Sequence, residues 1–294
     1  MKFNESGILL VNKPINWTSN DVIRKIKSKN HFKKIGHAGT LDPLASGILP
    51  ILVNDSTRYF NYFQTLKKSY LAEIKFGLST STYDLEGDVE ETTDKIPNDL
   101  NSINEKIPYF LGSIKQVPPI YSAIKKNGKR LYDYARNNEN VYLEPRTVNV
   151  SEIKIISWES PNLKLIIKCS SGFYVRSFAY DLAKSLNSLG VLVKLSRISY
   201  GPFEINDAFD LSKVEEIEKN LISIETIFDK NKKLIFDKDT ENEYYQGKVF
   251  YSENLSLNLL NNDEIKIYNL NHKFIGLLTF DKSKKFWKPK NIIR

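Results

Sequence analysis

Residues 163–200 read LKLIIKCSSGFYVRSFAYDLAKSLNSLGVLVKLSRISY, and their periodicity changes twice. Leu163, Leu165, Ile167 and Cys169 lie two apart, which predicts a half-buried strand. Ser170-Ser171-Gly172 then supplies a turn, and Val175, Phe178, Leu182 and Leu186 recur at helical spacing. A further strand pattern fills 191–200. Strand and helix patterns are mixed along the chain without a strict βαβ alternation. The predicted fold class is therefore α+β, with a mixed, mainly antiparallel sheet flanked by helices.

The same patterns continue upstream. Residues 68–77 alternate, with Tyr70, Ala72, Ile74 and Phe76 on the inner face. Residues 7–11 predict a short buried strand and Ser19 the cap of an amphipathic helix carrying Val22, Ile23 and Ile26. From 24 to 34 there are six Lys or Arg and no acid. The stretch 36–47 holds three glycines and a proline in twelve residues, too many for a regular element, and predicts a shaped loop. Within it Pro43 pushes Asp42 toward extended backbone, so the loop presents that carboxylate. Residues 47–53 predict a strand, and Asp55 or Ser56 caps a short aromatic helix. Between 84 and 94 six acids and no base predict a flexible acidic connection. Residues 118–125 predict an extended entry and strand, Asn127-Gly128 a turn, 129–136 a helix, and 213–219 a polar one.

The chain of 294 residues is long enough for two domains, and 41% hydrophobic residues exclude disordered and fibrous classes. Its 43 Lys and Arg against 35 Asp and Glu leave a net charge of +8, which suits a polyanionic partner. The charged stretch 228–233 is the predicted linker. Beyond it, short strand patterns at 255–259, 264–270 and 274–280 predict a small β-barrel module over 231–294. Cys169 is alone, so no intramolecular disulfide forms, and no zinc-like spacing joins it to a histidine. No stretch approaches the roughly 18 apolar residues of a membrane span, and 7–11 is too short for a signal peptide. The expected compartment is the cytoplasm.

Gly36-His37-Ala38-Gly39-Thr40-Leu41-Asp42-Pro43-Leu44-Ala45-Ser46-Gly47-Ile48-Leu49-Pro50 resembles the catalytic motif of the TruB family of tRNA pseudouridine synthases. The resemblance continues through Lys13-Pro14, Thr18-Ser19, Lys68-Ser69-Tyr70, the stretch from Pro118 to Lys125 and that from Ser170 to Ser177. It implies a pseudouridine synthase catalytic domain over 1–230 and, more weakly, a PUA-like RNA-binding domain over 231–294. It implies an enzyme that turns a T-loop uridine of tRNA, position 55, into pseudouridine without cofactor or metal. The uracil is extruded from the loop, detached at N1 and rejoined through C5.

By the same resemblance Asp42 is the essential carboxylate, attacking C1′ or C6 or assisting glycal formation. Tyr70 stacks on the uracil and moves a proton, and Arg176 holds Asp42 ionised. His37, Arg58 and Lys13 are expected on the RNA, as are Lys288 and Lys290 in a tail whose seven Lys or Arg surround Phe286 and Trp287. Two departures stand out: Asn12 and Asn16 replace the usual Asp and Gly, although Asn tolerates positive φ. Asp84 matches a family acid but lies in the acidic stretch, where solvation is an equal reading. The expected partner is the T arm of tRNA, met by a monomer with no guide RNA, obligatory protein partner or membrane. Two other readings stay open: an RNA-folding protein without chemistry, and an RNA-guided synthase inside a ribonucleoprotein.

Overall fold

The computed structural model describes residues 4–122, 125, 126, 128–131, 134, 137, 141–251 and 264–294. An 11-stranded mixed sheet forms its centre. Its main path runs Phe209–Asp210, Gly7–Lys13, Ala45–Val53, Gly190–Tyr200, Lys68–Phe76, Asn162–Cys169, Arg146–Glu159, Gly112–Gln116. Ile35–His37, Phe203–Glu204 and Leu221–Ile222 attach beside it. Neighbours are antiparallel except Phe209–Asp210 on Gly7–Lys13 and Gly190–Tyr200 on Ala45–Val53. The sheet is mixed and mainly antiparallel, as the periodicities predict.

The inner face of Lys68–Phe76 carries Tyr70, Ala72, Ile74 and Phe76, all buried. Across it packs the helix Val175–Ser185, whose Val175, Phe178, Ala179, Leu182 and Ala183 form one buried stripe. Each large side chain so buried contributes roughly 1.5–3 kcal/mol. The helix Ser19–Lys29 buries Val22 and Ile26 against the other end of the same core. Its cap is Thr18, in a reciprocal box with Asp21, and not Ser19. Ser19 is turned inward to hold Leu41, accepting from its N–H at 3.0 Å and donating to its carbonyl at 3.1 Å. A buried hydroxyl facing a loop backbone gains more there than at an exposed helix end.

Neither Asp55 nor Ser56 caps the aromatic helix. A 3₁₀ segment, Asn54–Tyr59, runs directly into Phe60–Thr65 without a side-chain cap, leaving Asp55 free to meet Arg58 and the backbone N–H of Arg294. The acidic connection is more ordered than its composition implies, because Leu78–Thr80 pairs with Val89–Thr92 and Asp84 turns inward at 1% exposure. The polar helix becomes 3₁₀ turns over Leu211–Asn220, broken at Lys213 and Glu216. Of 118–136, Lys125–Lys126 pairs with Lys129–Arg130, so the first two residues of the expected helix are strand, while 123, 124, 127, 132, 133, 135 and 136 lie outside the described residues.

Past Phe228, a four-stranded sheet runs Lys232–Ile235, Glu264–Tyr268, Phe274–Asp281, Phe286–Lys290, with the helix Lys238–Tyr245 beside it. This sheet fits a small PUA-like module; the expected strand 255–259 lies outside the described residues. The stretch 228–233 is not a free tether. Phe228 is buried against the rings of Tyr59 and Tyr62, at 5.7 and 4.8 Å, in a cluster that also takes in Tyr268, Phe274, Leu277 and Ile293. No helix among the described residues is long and apolar enough to cross a membrane.

Candidate active site

The parallel seam of the sheet positions the loop. Ala45, Ser46 and Gly47 run beside Leu195, Ser196 and Arg197, and a Cβ at Gly47 would lie 2.3 Å from the Arg197 carbonyl. Gly47, at φ +103°, is thus required twice, by contact and by conformation. Arg197, 1% exposed, donates from Nε to the Ile48 carbonyl at 2.7 Å and from its second amino group to the Gly39 carbonyl at 3.1 Å. Tyr200 OH lies 2.5 Å from the Ala38 carbonyl. From the other side Lys13 Nζ donates to the carbonyls of Pro14 (2.9 Å), Trp17 (2.6 Å) and Pro43 (3.4 Å). Asn16, at φ 64°, closes its turn by donating to the Pro43 carbonyl, so the departure from glycine is accommodated. The loop is held at both ends and in the middle, before any ligand arrives.

Asp42, 35% exposed at its side chain, stands where this scaffold opens into a cleft of about 260 Å³. Arg176 reaches it with one amino group at 2.9 Å and meets the buried Asp84 with the other at 3.4 Å. The guanidinium also donates to the carbonyls of Tyr121 (2.9 Å) and Thr82 (3.3 Å). The cleft is lined further by Tyr70, Lys68, Gln64, Ser122, Leu195, Arg197 and the turn around Gly172. Burial raises the Tyr70 phenol above the ordinary tyrosine range, and the Arg197 guanidinium works against that shift. Cys169, beneath the same cleft, is pushed up to about 12 by burial, which removes a thiolate from the candidate nucleophiles near neutral pH. A carboxylate steadied by a guanidinium and partly exposed, beside a neutral phenol, can attack an electrophilic carbon and hold a flat ring. Among the described residues no three His, Cys, Asp or Glu are grouped to hold a metal ion.

The structure therefore brings Asp42, Tyr70 and Arg176 into one cleft. Lys13 is corrected: at 0% exposure, with Nζ bonded to three carbonyls, it cannot meet an RNA phosphate and instead braces the loop. Its burial lowers it to about 8, against the raising influence of Asp42. His37 lies outside the cleft lining, half-buried on Ile35–His37, lowered by burial and by the Arg197 charge. Arg58 sits at the junction with the C-terminal sheet, on Asp55 at 3.1 Å and the Ile292 carbonyl at 2.5 Å. Lys288 and Lys290 are half-exposed and paired with Asp281 (3.3 Å) and Glu264 (2.8 Å).

For Asp84 the sequence leaves a family acid and a solvated charge as equal readings, and the structure buries it on Arg176. Two cleft residues have no role assigned from the sequence. Lys68 and Arg197 lie on inner faces of apolar strands, and a charge at a buried parity is the signal that marks them: Arg197 is two residues from Leu195, and Lys68 two from Tyr70.

Residues 27–175 match the family model described as TruB family pseudouridylate synthase (N terminal domain). The chain is 45% identical over 217 residues to tRNA pseudouridine synthase B of Ureaplasma urealyticum, a match covering 73% of this chain and 95% of the relative. It is 37% identical over 273 residues to tRNA pseudouridine synthase B of Clostridium acetobutylicum, covering 92% and 94%. Among solved structures, the crystal structure of a Cbf5-Nop10-Gar1 complex shares the fold with TM-score 0.70 at 21% identity, over 98% of this chain and 84% of that one.

Proposed function

The chain belongs to the TruB family of pseudouridylate synthases and is an isomerase, and from that premise we propose that it converts uridine 55 in the T loop of tRNA to pseudouridine. Its coverage of 95% of the Ureaplasma relative and 94% of the Clostridium one supports tRNA as the substrate. The observation that carries the finer reading is the ion pair of Arg176 with Asp42, 2.9 Å, in a cleft shared with Tyr70.

In this reading the T loop lays its extruded uridine over Tyr70, whose ring stacks on the uracil. Asp42 is the essential carboxylate, and Arg176, paired with it at 2.9 Å, aims it. The bond from N1 to C1′ breaks, the uracil turns, and a bond from C5 to C1′ forms. C5 gives up its hydrogen as a proton and N1 gains one, so the reaction balances without oxidant, metal or nucleotide. Because the Tyr70 phenol keeps its proton at neutral pH, it is suited to donate a hydrogen bond to the ring until that transfer.

We place the catalytic domain at 1–230 and a PUA-like RNA-binding module at 231–294. His37, Arg58, Lys288 and Lys290 are assigned to contact with the RNA around the loop. The enzyme acts in the cytoplasm as a monomer and needs no guide RNA or protein partner.

The test is a T-arm hairpin tritiated at C5 of single uridines, incubated with the purified chain and with Asp42→Ala. Rejoining through C5 must expel the label. Release from position 55 alone, by the wild type alone, is the expected result. Tight binding without release would favour an RNA-folding protein, and release only with added guide RNA would favour a guided enzyme.

A further inference from the structure

Four buried cations, Arg176, Lys13, Lys68 and Arg197, border the cleft or brace its loop; two have an acid to answer them, while Arg197 spends its donors on the Ile48 and Gly39 carbonyls. Arg176 has Asp42 and Asp84, and Lys13 feels Asp42. Lys68, at 6% exposure, has none. The charged and titratable groups acting on it are Arg197 and the Cys169 thiol, and among the described residues no carboxylate lies within salt-bridge distance. Its Nζ donates to the Ser171 hydroxyl and to the Leu66 carbonyl at 3.5 Å. It also stands 4.6 Å from the centroid of the Tyr200 ring, where Arg197 packs at 4.8 Å. Two positive charges thus flank one phenol ring with no counter-ion among the described residues.

Burying an uncompensated ammonium is costly, and a hydrogen bond to a neutral hydroxyl does not require one. Such a cation is retained where an anion arrives. Lys68 and Ser171 both line the cleft that holds Asp42. Because Ser171 Oγ accepts from Lys68, its own hydrogen remains to be donated, so the pair offers a charge and two donors to one acceptor-only group. A phosphodiester has that chemistry, and the RNA carries one on each side of the extruded uridine.

Resting on the function proposed above, we propose that Lys68, with Ser171, receives a backbone phosphate next to the extruded nucleotide and so fixes the register of the RNA over Asp42. The charge arrangement predicts a proton effect as well. Burial first, then Arg197, lower Lys68 to about 8, while the Cys169 thiol and the Tyr200 phenol are raised and stay neutral there. A bound phosphate raises Lys68 again, so RNA binding near pH 8 takes up a proton. Lys13, also at about 8, contributes equally with or without Lys68, so the difference between wild type and variant belongs to Lys68.

The experiment measures binding of a T-arm hairpin across salt to wild type, Lys68→Gln and Ser171→Ala, with single neutral methylphosphonates 5′ or 3′ of the target uridine. Lys68→Gln should weaken binding by about tenfold and flatten the log–log salt slope by about 0.7. One methylphosphonate should cost the wild type a similar factor and cost Lys68→Gln nothing more. Calorimetry in two buffers at pH 8 should show proton uptake reduced in Lys68→Gln. Unchanged affinity and slope, or a methylphosphonate penalty that persists in the variant, overturns the proposal. Should Lys68→Gln fail to fold, the wild type decides alone: no penalty at either phosphate overturns it. Tritium release by the wild type is read separately, so a failure of the reaction and a failure of this site are distinguishable.

Discussion

The cleft and the outer edge of the C-terminal sheet hold ion pairs of nearly the same length: 2.9 Å for Arg176 on Asp42 and 2.8 Å for Lys290 on Glu264. Their surroundings differ. The Arg176 side chain is 6% exposed and its second carboxylate, Asp84, 1%, whereas Lys290 is 40% exposed. Water can solvate Lys290 at the edge. In the cleft Asp42 is open at 35%, but the buried Arg176 and Asp84 depend on each other, so distance alone says little about what a charge does there.

The contrast breaks most visibly at Asp42. Asp42→Asn should lower single-turnover pseudouridylation by at least about 10,000-fold and change hairpin affinity by less than about tenfold, because affinity rests on phosphates and stacking. Loss of binding together with turnover would show that the carboxylate shapes the site rather than acts in it.

Arg176→Met should destabilise the chain by about 3–5 kcal/mol, because it strands a buried carboxylate. Guanidinium unfolding checks this, with Asp84→Asn added to Arg176→Met recovering part of the loss. Lys290→Met should cost less than about 1 kcal/mol by the same assay. Equal losses would remove the distinction between the two regions.

The backbone offers a parallel pair. Gly47→Ala sets a methyl against the Arg197 backbone and strains a positive φ, and should cost about 3 kcal/mol in urea unfolding. Gly247, at φ +79° with open space around it, should cost only about 1–2 kcal/mol when changed to Ala.

The smallest effects belong to the edge and to pH. Lys288→Glu with Lys290→Glu should leave stability within about 1 kcal/mol, weaken hairpin binding and flatten its salt slope by up to about 1.8. An unchanged slope would remove the tail from the RNA contact. Burial depresses Lys13 from 10.5 to about 8, so across that window the unfolded chain holds a proton that the folded chain has released. Its contribution makes stability rise with pH there, and the rise between pH 8 and 10 should be smaller in Lys13→Met when unfolding is followed at each pH.

Much of the frame is legible in the sequence. The two-residue repeat of Leu163 to Cys169 and the helical spacing of Val175 to Leu182 appear as Asn162–Cys169 and Val175–Ser185. Where the structure departs from the caps expected at Ser19 and Asp55, the cause is shared: a small polar residue serves equally as a cap or as a partner for another segment, and the local string is the same in each case; for Asp84 the string leaves the solvated and buried readings equal. Lys13 was misjudged similarly, because a lysine beside a proline turn carries no mark of being buried under it.

The sequence by itself determined that strands lie over 68–77 and 163–169, a helix after Val175 and a glycine-bearing loop around Asp42, since those depend on neighbours two to four residues away and on which backbone angles a residue tolerates; their exact ends it did not fix. It also carried the motif that points to Asp42. Beyond the Arg176–Asp42 pair that the resemblance implies, only the tertiary structure decided which charges answer one another: Arg176 also meeting Asp84, Lys13 turned under the loop, and Lys68 left without an acid among the described residues. Those outcomes depend on desolvation and on the order of strands in the sheet, which places Gly190–Tyr200 between the loop's strand and that of Tyr70. Charge pairing follows from what the fold brings together and shields from water, and no local spacing encodes either.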